Sequence, residues 1–515
     1  MIKDITMGIR VTASLLILLG MTGCTSVDFD YPKKKSAAVE PDPLRLLWSD
    51  APEVSDGYSH FHMISEGIDA LALRILIAEK AEHTIDVQYY LIKDDIIGYA
   101  FIGALIKAAD RGVRVRLLLD DNLTKGFEEV FAALDAHPNF ELRIFNPFSR
   151  RSLRVLDALT DFSRVNRRMH NKTFIVDNEY VIIGGRNIAS EYFGANESER
   201  FSDLDVLAVG PVVKEASGMF DSYWNHQLSL PVPAFYRHRL DGEAMLQALR
   251  QDIDAVLKDQ DDRRAYREAA KARYDYFAAS DASLFTAAPY QLVFDSPDKG
   301  EKELAEEALS IRAPLRAAVE SATEELIVVS PYFIPLKDTV EELIAIDQSG
   351  VRIVVVTNSL TANNHLFVHS GYAPIRKPLL RGGVEMFEAR YDIEVAGSQY
   401  VATEKTLTTL HTKAFIVDRE KIFVGSFNFD PRSAYINTES GVIIDSPELV
   451  RPLVKRFEEI VPEHAYELFL NDRGHLTWRT EIDGELVEYK TDPEASLWQR
   501  IFSAMLGLLP IDKQL

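Results

Sequence analysis

The stretch MHNKTFIVD, residues Met169–Asp177, has a near copy in LHTKAFIVD, residues Leu410–Asp418. Both copies follow the pattern His-x-Lys-x-x-x-x-Asp and run into an apolar segment rich in β-branched residues. Side chains two positions apart on a strand point to the same side, so the His and the Lys of each copy project together. The two copies therefore predict two matching structural units, each presenting one imidazole and one ammonium group.

The repeat extends upstream of this motif. The segment TIDVQYY (84–90) is matched by LIVVSPY (326–332), and GVRVRLLL (112–119) is matched by GVRIVVV (350–356). Short apolar runs that alternate with helix-like segments are typical of a buried parallel or mixed sheet covered by helices. We therefore predict an α/β fold of two homologous halves, with mixed β-sheets flanked by helices and the active site at the pseudo-twofold interface.

The rest of the chain divides around these halves. We predict the first half over 47–230, a charged and solvated helical linker over 231–289, and the second half over 290–470. Residues 471–515 contain a hairpin pattern with an Asp-Gly turn, followed by an amphipathic helix over Glu494–Leu509. We predict that the apolar face of this helix packs on the catalytic unit; the alternative is a bilayer surface.

The N-terminus predicts export and lipid attachment. Residues 1–23 have a short basic start and the apolar run Val11–Leu19, which is typical of a secretory signal. A small residue directly precedes Cys24, the only cysteine, and this pattern resembles a bacterial lipobox, in which the thiol is acylated. An uncleaved signal anchor is the alternative. Residues 24–46 then form a flexible tether, and Thr25 favours sorting from the periplasmic side to the outer membrane.

Charge and side-chain chemistry narrow the function. The net charge of −22 opposes general nucleic-acid binding, which depends on Lys and Arg. Two imidazoles and two ammonium groups that meet at one point suit the cleavage of a phosphodiester. One neutral His attacks phosphorus, the other protonates the leaving alkoxide, and the Lys residues neutralise the phosphate oxygens. This chemistry requires no metal and no cofactor.

The duplicated motif resembles the signature of the phospholipase D superfamily. From about residue 60 to 510 the chain is most similar to the bacterial cardiolipin synthase C type, through stretches such as LLDDN (118–122), FNPF (145–148), TDFSR (160–164) and TNSL (357–360). The resemblance implies transfer of a phosphatidyl group from phosphatidylglycerol or phosphatidylethanolamine to phosphatidylglycerol, through a phosphohistidine on His170. The alternatives are phospholipase D hydrolysis to phosphatidic acid, nucleic-acid cleavage, and a non-catalytic membrane lipoprotein.

The resemblance also implies individual roles. The motif residues form the catalytic set: His170, Lys172, Asp177, His411, Lys413 and Asp418. Within that set, Asp177 and Asp418 are predicted to be structural partners rather than acid-base groups. Three residues are implied to support the phosphate: Asn187, Ser426 and Asn428. Asp203 is expected to orient His170, and Glu439 to orient His411, by fixing the tautomer of each ring. Gly185 stands where the second half has Ser426, so no hydroxyl role is predicted there.

Substrate contacts are predicted on both sides of the motif. Arg164, Arg167 and Arg168 precede His170 and are suited to bidentate phosphate binding. His369 and Tyr372 are implied by the resemblance alone to line the acceptor pocket. The His365/His369 spacing is predicted not to bind a metal. The catalytic unit is predicted to be a monomer whose partners are membrane phospholipids, and the residues specify no accessory protein.

Overall fold

The computed structural model describes residues 26–39, 48, 55–196, 198–236, 241–258, 263–299, 310–363, 366–391, 407–482 and 484–507. The first half contains the following strands and helices: β1 (Tyr58–Ile64), α1 (Gly67–Lys80), β2 (Thr84–Tyr89), α2 (Ile96–Asp110), β3 (Arg114–Asp120), α3 (Glu128–Asp135), β4 (Phe140–Phe145), α4 (Arg154–Thr160), α5 (Phe162–Val165), β5 (Thr173–Val176), β6 (Tyr180–Gly184), β7 (Glu199–Ser202), β8 (Asp205–Val209), α6 (Pro211–Trp224) and β9 (Ser229–Pro231).

Two linker helices follow: α7 (Gly242–Lys258) and α8 (Arg264–Ala279). The second half contains β10 (Thr286–Phe294), α9 (Arg312–Glu320), β11 (Glu325–Val329), α10 (Lys337–Gln348), β12 (Arg352–Asn358), α11 (Leu366–Tyr372), α12 (Arg376–Gly382), β13 (Glu385–Ala389), β14 (Leu407–Leu410), β15 (Ala414–Val417), β16 (Lys421–Gly425), α13 (Pro431–Tyr435), β17 (Ser440–Asp445), α14 (Pro447–His464) and β18 (Ala465–Leu470). The C-terminal part adds β19 (Leu476–Ile482), β20 (Glu485–Tyr489) and α15 (Leu497–Leu506).

All of these strands except β7 and β14, which pair with each other, form one continuous sheet in which the two halves mirror each other. The neighbour order is β9-β4-β3-β2-β5-β6-β8-β1-β10-β17-β16-β15-β11-β12-β13-β18-β19-β20. The antiparallel ladder between β1 and β10 lies at the centre, and equivalent strands follow in the same order on each side of it. The predicted α/β fold of two homologous halves is therefore confirmed.

The core explains why the strands are apolar on both faces. β2, β5 and β11 are buried along their whole length. In the first half, one face of the sheet packs on the helices of that half. The other face contributes to a hydrophobic cluster that both halves share, with Ile183 and Val206 from the first half and Val329 and Val442 from the second. Burial on both faces accounts for the near-continuous hydrophobic runs.

The motif aspartates hold strands together and lie outside the imidazole site. Asp177 and Asp418 each follow a motif strand, at a tight turn with positive φ. The Asp177 carboxylate accepts three backbone N–H bonds from residues 82–84, and Asp418 accepts the equivalent bonds from residues 323–325. Their inclusion in the catalytic set is corrected, because these carboxylates fix the start of β2 and of β11.

The linker and the tether differ from their predictions. Leu249 of α7 and Phe277 of α8 are buried against helices of the first half, so the linker is not merely solvated. Residues 26–39 lie against the first half, where the Lys33 ammonium donates to the carbonyls of Gln227 and Ser229 at 2.9 and 3.1 Å. The tether is therefore not flexible over 26–39. The signal segment 1–23 and Cys24 lie outside the described residues.

The C-terminal part contains the predicted hairpin, since β19 and β20 form an antiparallel ladder in which Ile482 pairs with Glu485. Helix α15 begins at a capping box formed by Ser496 and Gln499. Leu506 is buried on α15, yet most of the larger apolar side chains of this helix are exposed. The predicted packing of its apolar face is thus wrong for the greater part of that face. None of the helices in the described ranges is long and apolar enough to cross a membrane.

Candidate active site

The two motif histidines lie at the contact between the halves. The His170 backbone N–H donates to the Thr438 carbonyl at 2.9 Å, and the His411 backbone N–H donates to the Ser202 carbonyl at 2.7 Å. Strand β14, which ends beside His411, pairs in parallel with β7 of the first half. Each imidazole is therefore positioned by main chain from the opposite half.

Each imidazole also takes its carboxylate from the opposite half. Nδ1 of His170 lies 2.9 Å from the Glu439 carboxylate, and Nδ1 of His411 lies 2.6 Å from that of Asp203. This reverses the predicted pairing of Glu439 with His411 and of Asp203 with His170. The physical reason is the parallel pairing of β7 with β14 between the two halves, which brings residues 202–203 beside His411. A carboxylate on Nδ1 holds the proton there and leaves Nε2 to react.

The two lysines complete one site. The Lys413 ammonium lies 2.9 Å from Nδ1 and 3.1 Å from Nε2 of His411, and both motif ammonium groups are buried. The charge of Lys413 helps to lower the pKa of His170, and the charge of Lys172 helps to lower that of His411. The pairs from the two halves are therefore close enough to act on each other.

Burial sets the protonation of these groups. It lowers the pKa of His411 to about 3 and also lowers that of His170, so both rings are neutral at pH 7. Burial lowers the pKa of Lys172 to about 7 and of Lys413 to about 8, although nearby carboxylates oppose this. A bound phosphodiester anion would favour the charged forms of all four groups.

The carboxylates are held differently in the two halves. Glu439 accepts hydrogen bonds from the hydroxyls of Ser426 and Ser433. In the first half, a Cβ on Gly185 would come within 2.1 Å of the Asp203 carboxylate. The absence of a hydroxyl at Gly185 therefore has a steric cause, because Asp203 occupies the space that a serine would need.

Two asparagines leave amide oxygens buried without a hydrogen-bond partner. Nδ2 of Asn187 donates to the Tyr192 hydroxyl at 3.0 Å, but its Oδ1 has no partner, and neither has Oδ1 of Asn428. Buried polar atoms are normally paired. Among the described residues these two oxygens are thus buried acceptors without a donor, and the phosphate-supporting role of Asn187 and Asn428 stays a prediction.

Several residues at the site were not singled out from the sequence. Tyr90 packs edge-on against His170, with ring centroids 5.2 Å apart, while Tyr192 and Phe201 pack against His411 at 4.9 and 5.4 Å. These rings fix the orientation of the imidazoles.

Two polar side chains fix the residue before each histidine. The Asp120 carboxylate, at the end of β3, accepts the Met169 backbone N–H at 2.9 Å. Asn358, at the equivalent end of β12, bonds both the N–H and the carbonyl of Leu410 at 3.0 and 2.9 Å. Aligned ends of parallel strands thus bring both imidazoles to one edge of the sheet.

The arginines before His170 have internal partners. The Arg164 guanidinium donates to the Asp161 carboxylate, to the side-chain oxygen of Asn146 and to the Pro147 carbonyl. The Arg168 guanidinium lies 3.3 Å from the Asp120 carboxylate and donates to the Asn146 carbonyl. Arg167 is partly buried beside them. These guanidinium groups shape the loop through internal contacts, and the substrate-binding role of Arg164 and Arg168 stays a prediction.

His369 and Tyr372 do not line an open pocket next to the imidazoles. Nδ1 of His369 lies 3.1 Å from the Ser503 hydroxyl of α15, and burial lowers its pKa to about 3. Tyr372 is buried in the core of the second half beside Phe333 and Arg376. Their predicted acceptor-pocket role is corrected to one of fixing α15 and α11. His365 lies outside the described residues.

The fold and the site together define a phosphodiester-transferring enzyme of the phospholipase D type, with paired His-Lys groups at an interface between two homologous halves. A family model described as "Cardiolipin synthase, PLD-like domain" matches residues 75–224 and 315–461. The chain is 39% identical over 452 residues to cardiolipin synthase C of Escherichia coli, covering 87% of this chain and 94% of that protein. It is also 31% identical to an uncharacterised protein of Helicobacter pylori, covering 95% and 96% of the two chains.

A solved structure shows the same fold. The crystal structure of phosphatidylserine synthase from Haemophilus influenzae matches with a TM-score of 0.55 and 14% identity, covering 79% of this chain and 87% of that one. The chain belongs to the cardiolipin synthase, PLD-like domain family, and it is an enzyme of the phosphatidyltransferase class.

Proposed function

We propose that this enzyme makes cardiolipin by moving a phosphatidyl group onto the free primary hydroxyl of phosphatidylglycerol. The similarity to cardiolipin synthase C of Escherichia coli over nearly the whole of both chains supports this substrate class. The observation that carries the chemistry is the crossed pair of imidazole–carboxylate contacts, His170 with Glu439 and His411 with Asp203. Both rings then present Nε2, each with an ammonium group close by, to one phosphate.

In the first step, Nε2 of His170 attacks the donor phosphorus, and the bond from phosphorus to the headgroup oxygen breaks. His411, protonated once the anionic substrate is bound, gives its proton to that oxygen and releases glycerol or ethanolamine. In the second step, neutral His411 takes the proton of the acceptor hydroxyl, whose oxygen attacks phosphorus and breaks the P–N bond. Lys172 and Lys413 stabilise the negative charge on the phosphate oxygens in both steps.

The proposed role of His170 as the nucleophile is supported by the way in which the two rings are enclosed. The His170 side chain is 13% exposed, against 9% for His411. Nε2 of His411 lies 3.5 Å from the Tyr192 hydroxyl, and Phe201 stacks on the same ring. The more accessible ring is suited to form the covalent bond, and the more enclosed one to transfer protons.

We further propose that Cys24 carries a lipid anchor that holds the enzyme on the periplasmic side of a bacterial membrane, the outer membrane being favoured. The lipobox-like residues before Cys24 and the Thr after it support this location. An anchored enzyme meets its lipid substrates at a raised local concentration.

The test is product analysis with defined lipids. The purified full chain is incubated with vesicles of phosphatidylglycerol alone, or of phosphatidylglycerol with isotope-labelled phosphatidylethanolamine, and the products are identified by mass spectrometry. We expect cardiolipin, with the label revealing whether phosphatidylethanolamine acts as donor. Phosphatidic acid as the sole product would instead support hydrolysis, with water as acceptor. The variants His170→Ala and His411→Ala should be inactive, whereas His475→Ala, at an exposed histidine, serves as the matched control.

A further inference from the structure

Helix α15 turns most of its large apolar side chains to solvent. Trp498 is 77% exposed, and four others on the helix are at least 40% exposed: Leu497, Ile501, Phe502 and Met505. The helix is nevertheless fixed in place, because Ser503 and Leu506 are buried and the Ser503 hydroxyl lies 3.1 Å from Nδ1 of His369. A fixed helix with a contiguous apolar face in solvent marks a contact surface.

A second apolar patch lies on α4 and α5 of the first half. Val155 and Leu159 are 74% and 77% exposed, and three further residues near them are exposed as well: Leu153, Leu156 and Phe162. Helices α4 and α5 belong to the first half, whereas α15 packs on α11 of the second half, so neither patch covers the other through a local turn of the chain.

Both patches are connected to the active-site edge of the sheet. In the first half, Asp120 holds the residue before His170, and the next residue, Asp121, is bound by Arg151 and Arg154 at the start of α4. In the second half, Asn358 holds the residue before His411. The chain then runs from Asn358 to α11, on which α15 packs. Each patch is thus connected, through these contacts, to the strand that holds the residue before one of the two histidines.

The local charge differs from that of the whole chain. Arg500, the only charged residue of α15, donates to the Ala495 carbonyl, and the Arg150 side chain beside α4 is 43% exposed although it pairs with Asp157, whereas the net charge of the chain is −22. Apolar side chains accompanied by cationic ones match the boundary of a bilayer that contains anionic lipids.

We propose that α15 and the α4–α5 patch dock on the surface of a phospholipid bilayer, with Trp498, Phe502 and their neighbours entering the headgroup–acyl boundary. The docked enzyme presents the interface between its halves to the membrane, so lipid headgroups reach the imidazoles without leaving the bilayer. This inference rests on the proposed use of phospholipid substrates for the choice of occupant.

Tryptophan fluorescence tests the docking directly and without reference to activity. Trp48, Trp224 and Trp478 are at most 3% exposed, so Trp498 is the one tryptophan positioned to sense a bilayer. The full chain is bound to phosphatidylglycerol–phosphatidylethanolamine vesicles with or without brominated acyl chains. We expect bromine to quench Trp498 and the bilayer to shield it from aqueous acrylamide, with both effects lost in Trp498→Phe. The proposal would be overturned if bromine did not quench the Trp498 emission and acrylamide still did in the presence of vesicles. Concentration-dependent shielding without lipid would also overturn it, since a second copy would then cover α15.

A kinetic measurement separates docking from catalysis. The double variant Phe502→Ser/Met505→Ser should lose about tenfold in turnover of vesicle substrate, while turnover of a monomeric short-chain phosphatidylglycerol stays within about twofold of wild type. Leu486→Ser, at an equally exposed apolar residue of the β19–β20 hairpin, is the matched control and should change neither rate. Equal losses on both substrates would contradict docking. If the wild type transferred no phosphatidyl group at all, the proposed function would be refuted. The docking would then be decided by the fluorescence measurement, which does not depend on activity.

Discussion

The crossed carboxylates make opposite predictions for two conservative variants. In Glu439→Gln the group beside Nδ1 of His170 loses its charge, whereas in Asp203→Asn the change falls beside His411. A hydrogen bond to a charged group contributes about 1.5–3 kcal/mol, and a neutral one about 1 kcal/mol. The loss of about 0.5–2 kcal/mol should reduce the preference for the Nδ1–H tautomer by about two- to thirtyfold, and the rate of transfer by a similar factor.

The assay is ¹⁵N NMR of histidine-labelled enzyme at pH 7.5, where burial keeps both rings neutral. The signals are assigned from His170→Ala and His411→Ala spectra. We expect Glu439→Gln to shift the tautomer of His170 and leave His411 near its wild-type state, with the converse for Asp203→Asn. A response of His411 to Glu439→Gln, with His170 unchanged, would refute the crossed arrangement.

Three further variants test the buried lysine, the strand-end contacts and the lipid anchor. Lys172→Met should abolish transfer and raise the melting temperature. Burial lowers the pKa of Lys172 from 10.5 to about 7, so the buried charge destabilises the folded wild type fully below pH 7, and this destabilisation disappears as the pH rises toward 10.5. Calorimetry should therefore find the largest increase in melting temperature of the variant over wild type below pH 7. Asp177→Ala should cost about 3 kcal/mol in urea unfolding but preserve the rate per folded molecule, because its carboxylate bonds only backbone at the start of β2. Cys24→Ala should leave the chemistry intact and abolish incorporation of labelled fatty acid; continued labelling would rule out Cys24 as the anchor.

Much of the site followed from the repeat in the sequence. Two copies of a strand-borne His-x-Lys predicted two halves and the meeting of His170 with His411. The family resemblance, rather than the repeat, implied that Asp203 and Glu439 each orient a histidine. It could not show which ring each would reach, since that depends on β7 crossing to pair with β14, more than 200 residues away in the chain.

The contacts that the sequence could not show share one cause. Arg164 and Arg168 were given to the substrate because arginines clustered before His170, whereas Asp161, Asp120 and Asn146 come near them only in the folded chain. Sequence shows how many charges a segment contains, but tertiary contacts determine which of them are already neutralised. The same holds for α15, whose apolar face was recognisable although its exposure was not.

Trapping the covalent intermediate tests the central claim that two His-Lys pairs act on one phosphorus atom. A phosphatidyl ester of p-nitrophenol needs no protonated leaving group, so His411→Ala should still release one equivalent of nitrophenol and then stop, because the base for the second step is missing. Mass spectrometry should locate the phosphatidyl group on His170, and His170→Ala should give no burst. A burst of the same size from His170→Ala, or a modified residue other than His170 in the His411→Ala enzyme, would contradict the account.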